Sequence, residues 1–174
     1  AGHTGQTEQA FRIDLTAPVV QVEYDRDTPQ AGRFYNQPRT ASVPVRERNF
    51  DPADMEFQIT STEGSMPVIG EWTASGAGDD RLHRCEIVFL EDGDYTFTLE
   101  AMDLAGNRAA YDRIDEFTID RTRPEVTVAW DLNRRDAPAH YGQKRTAVVS
   151  VREHNFDASL MEVTVTDAGG GTLP

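Results

Sequence analysis

Apolar side chains recur at every second position in short runs along this chain, the spacing of half-buried β-strands. Val20, Val22 and Tyr24 share one face of such a run, Ala41, Val43 and Val45 a second, and Met55, Phe57 and Ile59 a third. Beyond a Gly/Ser/Ala stretch at 74–78 come Cys85, Ile87 and Phe89, then Tyr95, Phe97, Leu99 and Ala101. A last run ends at Phe117 and Ile119, and a short strand is expected near Val68–Trp72. No apolar stripe of period 3.6 competes with this pattern. About seven short strands in about 100 residues, separated by turn residues, predict an all-β fold, an antiparallel β-sandwich.

The pattern is written twice. From Phe11 to Gly64 the chain realigns with itself at a constant 106 residues, and 25 of the 56 positions from 11 to 66 are identical. Phe11, Ile13, Asp14, Thr16 and Pro18 return as Phe117, Ile119, Asp120, Thr122 and Pro124. Arg46-Glu47-Arg48-Asn49-Phe50-Asp51 returns as Arg152-Glu153-His154-Asn155-Phe156-Asp157. A repeat of this length with strands inside it predicts a tandem array of domain-sized modules. Residues 1–10 then read as the tail of a preceding module or linker, 11–116 as one complete module, and 117–174 as about three strands of the next. That truncated second module is expected to be frayed, or completed by something outside this chain. Two complete 58-residue domains flanking a third is the other phasing, but three strands make a poor sandwich.

Glu91-Asp92-Gly93-Asp94 is a tight turn that sets Tyr95 at the start of the sixth strand. A sandwich tyrosine there bonds its hydroxyl back to upstream backbone. Phe97, two residues on, stands where a disulfide-bonded sandwich has its second cysteine, so packing replaces the bridge. The run Gly93-Asp94-Tyr95-Thr96-Phe97-Thr98, the turn Asp103-Leu104-Ala105-Gly106-Asn107, and Phe117-Thr118-Ile119-Asp120-Arg121-Thr122-Arg123-Pro124 resemble the tandem immunoglobulin-like domains of bacterial secreted and surface proteins. The resemblance implies structural roles for Tyr95, Phe97, Asp103, Gly106, Asn107 and Pro124. It also implies an extracellular or cell-surface location and a stalk or adhesive task.

Charge and composition narrow the task further. A net charge of −13 argues against nucleic acid and anionic membrane as partners, since both need basic surface. No apolar run is long enough to insert in a membrane. The lone Cys85 excludes an internal disulfide, and its alternation with Ile87 and Phe89 makes it a core residue. His3, His83, His140 and His154 are scattered without zinc spacing, and no glycine-rich loop follows a strand and opens a helix. No enzyme is expected and no catalytic residue stands out. Lysine–asparagine isopeptide bonds stiffen some similar modules, but the only lysine is Lys144, outside the complete module.

No cofactor is required, but the acids leave room for calcium. In a sandwich of this topology Glu91, Asp92, Asp94 and Asp120 lie at the pole facing the next module's Glu153, Asn155 and Asp157. Asp92, Asp94, Asp120, Glu153 and Asp157 are therefore the expected ligands of an inter-module Ca²⁺ site, a use known for some of the modules this chain resembles. Local turn capping by the same Asp and Asn side chains is the competing reading. The repeated Arg-Glu-x-Asn-Phe-Asp is expected to be a turn plugged by Phe50 and Phe156, because a unique site would not need duplication. Function divides three ways. A spacer holding distal domains away from a bacterial surface comes first. The others are an adhesive module for a host protein or glycan, using Phe34-Tyr35 and His140-Tyr141 on the most divergent loop, and an accessory module of a secreted enzyme. Beyond such a ligand, the partners are neighbouring modules of the same chain.

Overall fold

The computed structural model describes residues 5–131, 144–166 and 169–171. It divides into two compact units, Ala1–Arg121 and Thr122–Pro174. The fold is all-β, its strands joined by turns and two short 3₁₀ segments.

In the first unit β1 (Val19–Val20), β2 (Glu23–Tyr24), β3 (Phe34–Tyr35), β4 (Arg39–Arg46) and β5 (Phe50–Ser61) are followed by β6 (Val68–Ile69) and β7 (Thr73–Ser75). The longer β8 (Leu82–Phe89) and β9 (Gly93–Asp103) come next, then β10 (Arg108–Ala110) and β11 (Asp115–Ile119). One sheet joins β1 and β2 to β4, β4 to β8, and β8 to β6 and β7, all antiparallel. The other joins β5 to β9 and β9 to β10 and β11, with β3 lying parallel beside β11. The alternation expected from sequence is what these strands bury. Ala41, Val43 and Val45 of β4, Ile87 and Phe89 of β8, and Phe97 and Leu99 of β9 are 0% exposed.

The two sheets share one core. Phe89 meets Tyr95, Phe97 and Phe117 edge-on, at centroid distances of 5.1, 6.1 and 5.0 Å. Each fully buried Phe, Ile or Val contributes about 1.5–3 kcal/mol by leaving water. The Tyr95 hydroxyl donates to the Glu91 carbonyl at 2.9 Å, which locks the β8–β9 turn to the strand it feeds. Cys85 of β8 is buried, as its alternation requires, with its thiol donating to the Gly70 carbonyl. Trp72, just before β7, is half-buried against Phe50 and Phe57.

Arg39 shows how a charge enters this core. Its guanidinium stacks over Tyr24 at 3.6 Å and Tyr35 at 4.3 Å, while Nε donates to the Arg26 carbonyl and a terminal nitrogen lies 3.6 Å from Asp27. A planar, weakly hydrated cation tolerates such stacking where an ammonium would not.

The second unit is described from β12 (Glu125–Trp130) and β13 (Ala147–Arg152), an antiparallel pair, with a short 3₁₀ turn at Ala158–Leu160.

Candidate metal centre

Three carboxylates from distant parts of the first unit converge. Asp14, Glu47 and Asp103 each bring an oxygen within 4.8 Å of the other two. Asp14 belongs to the segment before β1, shortly ahead of the buried Pro18. Glu47 stands in the turn from β4 to β5 and Asp103 ends β9. Asp103 is 1% exposed and Glu47 5%.

Backbone geometry holds each in place. Asp103 Oδ1 accepts from the amides of Ala105 and Asn107 at 2.9 and 2.8 Å, and Asp103 Oδ2 from Asn107 Nδ2 at 2.8 Å. The Gly106 amide closes the turn onto the Asp103 carbonyl, with φ +88°, a backbone angle that favours glycine. Burial alone would raise the Asp103 carboxyl, but the side chain and amide of Asn107 and the amides of Ala105 and Gly106 outweigh it and hold it below the usual value. It is a carboxylate at neutral pH. Glu47 Oε1 accepts from the Asn49 amide at 2.7 Å, and Asn49 Nδ2 in turn donates to Asp14 Oδ2. Asn107 Nδ2 also donates to the Asp14 carbonyl at 3.2 Å, and the Leu104 amide to the Asn49 carbonyl at 2.9 Å. Three segments are thus stitched together around the acids.

Positive charge is what the cluster lacks. Among the described residues none of the three carboxylates forms an ion pair with an arginine or lysine. The nearby His83 does not supply it. Its Nε2–H donates to the Glu47 carbonyl at 3.0 Å, its ring stacks on Phe50 at 4.3 Å, and burial holds the imidazole below its ordinary value. Two buried carboxyl groups and a half-buried one brought together without a counter-charge are costly, a cost that a bound cation would offset.

The donor set fits a hard cation. Every ligand atom on offer is oxygen, one from each of the three carboxylates, while Asn49 and Asn107 turn their amide nitrogens toward the acids. No sulfur or imidazole nitrogen joins them, which disfavours zinc. Oxygens carried on separate turns suit the flexible coordination of Ca²⁺ better than the tight octahedron of Mg²⁺.

The acids expected from sequence stand elsewhere. Asp92 accepts from Arg121 Nε at 2.8 Å, and Glu91 lies 3.3 Å from the same guanidinium. Asp94 accepts from the Thr118 hydroxyl and lies 3.6 Å from Arg33. Both are already compensated. The Asp120 amide donates to the Tyr35 carbonyl at 2.9 Å. In the second unit Glu153 Oε1 accepts from the amides of His154 and Asn155, and Asp157 Oδ1 caps Ser159 at 2.9 Å. Within the first unit Asp92, Asp94 and Asp120 are therefore not gathered at the three-carboxylate cluster. Its members Asp14 and Glu47 are nevertheless the repeat counterparts of Asp120 and Glu153. The resemblance marked Asp103 and Asn107 as structural, and they are the residues that close the cluster.

The divergent loop presents a different chemistry. A cleft of about 290 Å³ is lined by Asp25, Arg26, Asp27, Gln30, Tyr35 and Asn36 among others. Tyr35 is 7% exposed and Phe34 half-buried, so neither ring offers an open stacking surface. His140 and Tyr141 lie outside the described residues. No protein-family model, curated protein or solved structure matches this chain.

Proposed function

We propose that the chain is part of an extracellular stalk built from tandem immunoglobulin-like sandwiches, with Ca²⁺ held by Asp14, Glu47 and Asp103. The observation that carries the cation is the convergence of three carboxylates, two of them buried, without a cationic partner among the described residues. Strand order supports the fold family: β1/β2–β4–β8–β6/β7 in one sheet and β5–β9–β10/β11–β3 in the other, with β3 parallel to β11. The Tyr95–Glu91 bond supports it as well, since a tyrosine at this corner bonds back to upstream backbone in such sandwiches.

Mechanically the ion acts as a clasp. Asp14 belongs to the segment that leads into β1, whereas Glu47 and Asp103 belong to turns of the sandwich. A cation bridging them fixes the lead-in segment to the sandwich and removes a swivel from the array. Spacing is the task we assign to it, a reading supported by the divergent loop, where Tyr35 is buried and Phe34 half-buried. The adhesive reading would have to use the polar cleft at residues 25–37 instead. Small-angle scattering of a polypeptide with two complete repeats, in calcium and then in chelator, tests the proposal. A calcium-stiffened stalk shortens and broadens its distance distribution on chelation, and an unchanged profile refutes the clasp.

A further inference from the structure

The second unit reproduces part of the first, pair for pair. β12 and β13 join with Trp130 opposite Ala147 and Val126 opposite Val151. One repeat earlier these are Tyr24 opposite Ala41 and Val20 opposite Val45, the pairs found in the first unit. Arg145 lies 4.7 Å over the Trp130 ring, as Arg39 lies over Tyr24. Glu153 Oε1 accepts from the Asn155 amide as Glu47 does from Asn49, and Asp157 caps Ser159 as Asp51 caps Ala53. The local structure of this half is already set.

Cover is what differs. Val43 and Val45 are 0% exposed, whereas their counterparts Val149 and Val151 are only half-buried. Val126, Val128 and Trp130 are 58, 55 and 50% exposed. The first unit shows what belongs over these positions. β8 pairs with β4 along its whole length, and β9 and β11 face it with Tyr95, Phe97 and Phe117. Among the described residues β13 pairs on one side only, and a two-stranded ribbon is marginal in water.

We infer that the face of Val149, Val151 and Trp130 is a docking surface for one kind of partner, a polypeptide carrying the strand set of Leu82–Ile119. Its first strand adds antiparallel to β13 in the register of the first unit, displaced by one repeat. The donor's counterpart of Ile87 then stands opposite Ala147, that of Cys85 opposite Val149, and that of His83 opposite Val151. Alternation fixes this register, because a slip of one residue would turn Ser150 and Arg152 inward and Val149 and Val151 outward. The facing strands then lay aromatic side chains over the valines. The inference is independent of the cation.

Hydrogen exchange read by mass spectrometry tests it on the full chain. The probe is a separate polypeptide with the sequence of residues 65–121, added in trans. A second format fuses the same segment after Pro174, where its high local concentration exposes even weak docking. Exchange across residues 147–152 is expected to slow by about tenfold or more. Val149→Asp should abolish the slowing while leaving protection of β4, β8 and β9 intact. Unchanged exchange at 147–152 in both formats overturns the inference, as does equal slowing in the Val149→Asp chain.

Discussion

Asp103→Asn separates a metal ligand from a mere turn residue. At the 4.8 Å that bounds the cluster, two unit charges repel by about 3 kcal/mol at an effective dielectric of 20. Removing the Asp103 charge relieves two of the three repulsive pairs. It also turns three charge-assisted hydrogen bonds into weaker neutral ones, and puts an amide nitrogen near Asn107, at about 1 kcal/mol each. In chelator these effects oppose one another, about 6 kcal/mol relieved against about 3–4 lost, so the variant should be about 2–3 kcal/mol more stable than the parent. Calcium shifts that balance. At about a hundred times its dissociation constant it adds about 2.7 kcal/mol to the parent, or roughly 10 °C in the melting temperature of a unit this size. Scanning calorimetry in saturating calcium and in chelator reads both numbers for both proteins. The parent should gain and Asp103→Asn should gain little or nothing. Equal melting of the parent in the two buffers, or an equal gain by the variant, would refute the reasoning.

Three further outcomes are expected. Tyr95→Phe removes the bond to the Glu91 carbonyl and should cost about 1–1.5 kcal/mol, seen as a lower urea midpoint with an unchanged slope. Gly106→Ala meets no atom within 4 Å, so its cost is the backbone angle alone, about 1–2 kcal/mol; calorimetric titration should also show weaker calcium binding as Asn107 shifts. His83 is held below the ordinary 6.5, so in the window beneath that value the unfolded chain binds the proton and the folded chain does not. Stability in chelator should therefore fall as pH drops from about 7 to about 5.5, and His83→Gln should flatten that slope in urea titrations.

Much of this architecture is legible in the sequence because strand alternation is local. The faces of 41–45, 85–89 and 95–101 are the buried faces of β4, β8 and β9, and the turn before Tyr95 announces its hydroxyl bond. The carboxylate cluster is harder to read because its members come from three separate segments. Strand direction singled out Asp120 and Glu153 at a module pole, and their repeat counterparts Asp14 and Glu47 do converge. Asp103 lies in the part of the repeat written only once, where duplication offers no signal. The nearby Asp92 and Asp94 have the right charge at a plausible pole, yet Arg121 and Arg33 reach them through pairings that strand spacing does not reveal. The buried Tyr35 was hidden for a similar reason, since its parallel pairing with Ile119 connects segments far apart in the chain.

The most direct test is a calcium titration of the ¹⁵N-labelled chain followed by amide chemical shifts. A clasp at the three carboxylates predicts saturable changes concentrated at residues 14–16, 47–49 and 103–107, and their loss in Asp14→Asn. No saturable change there, or changes centred instead on Glu91–Asp94 and Arg121, would contradict the account.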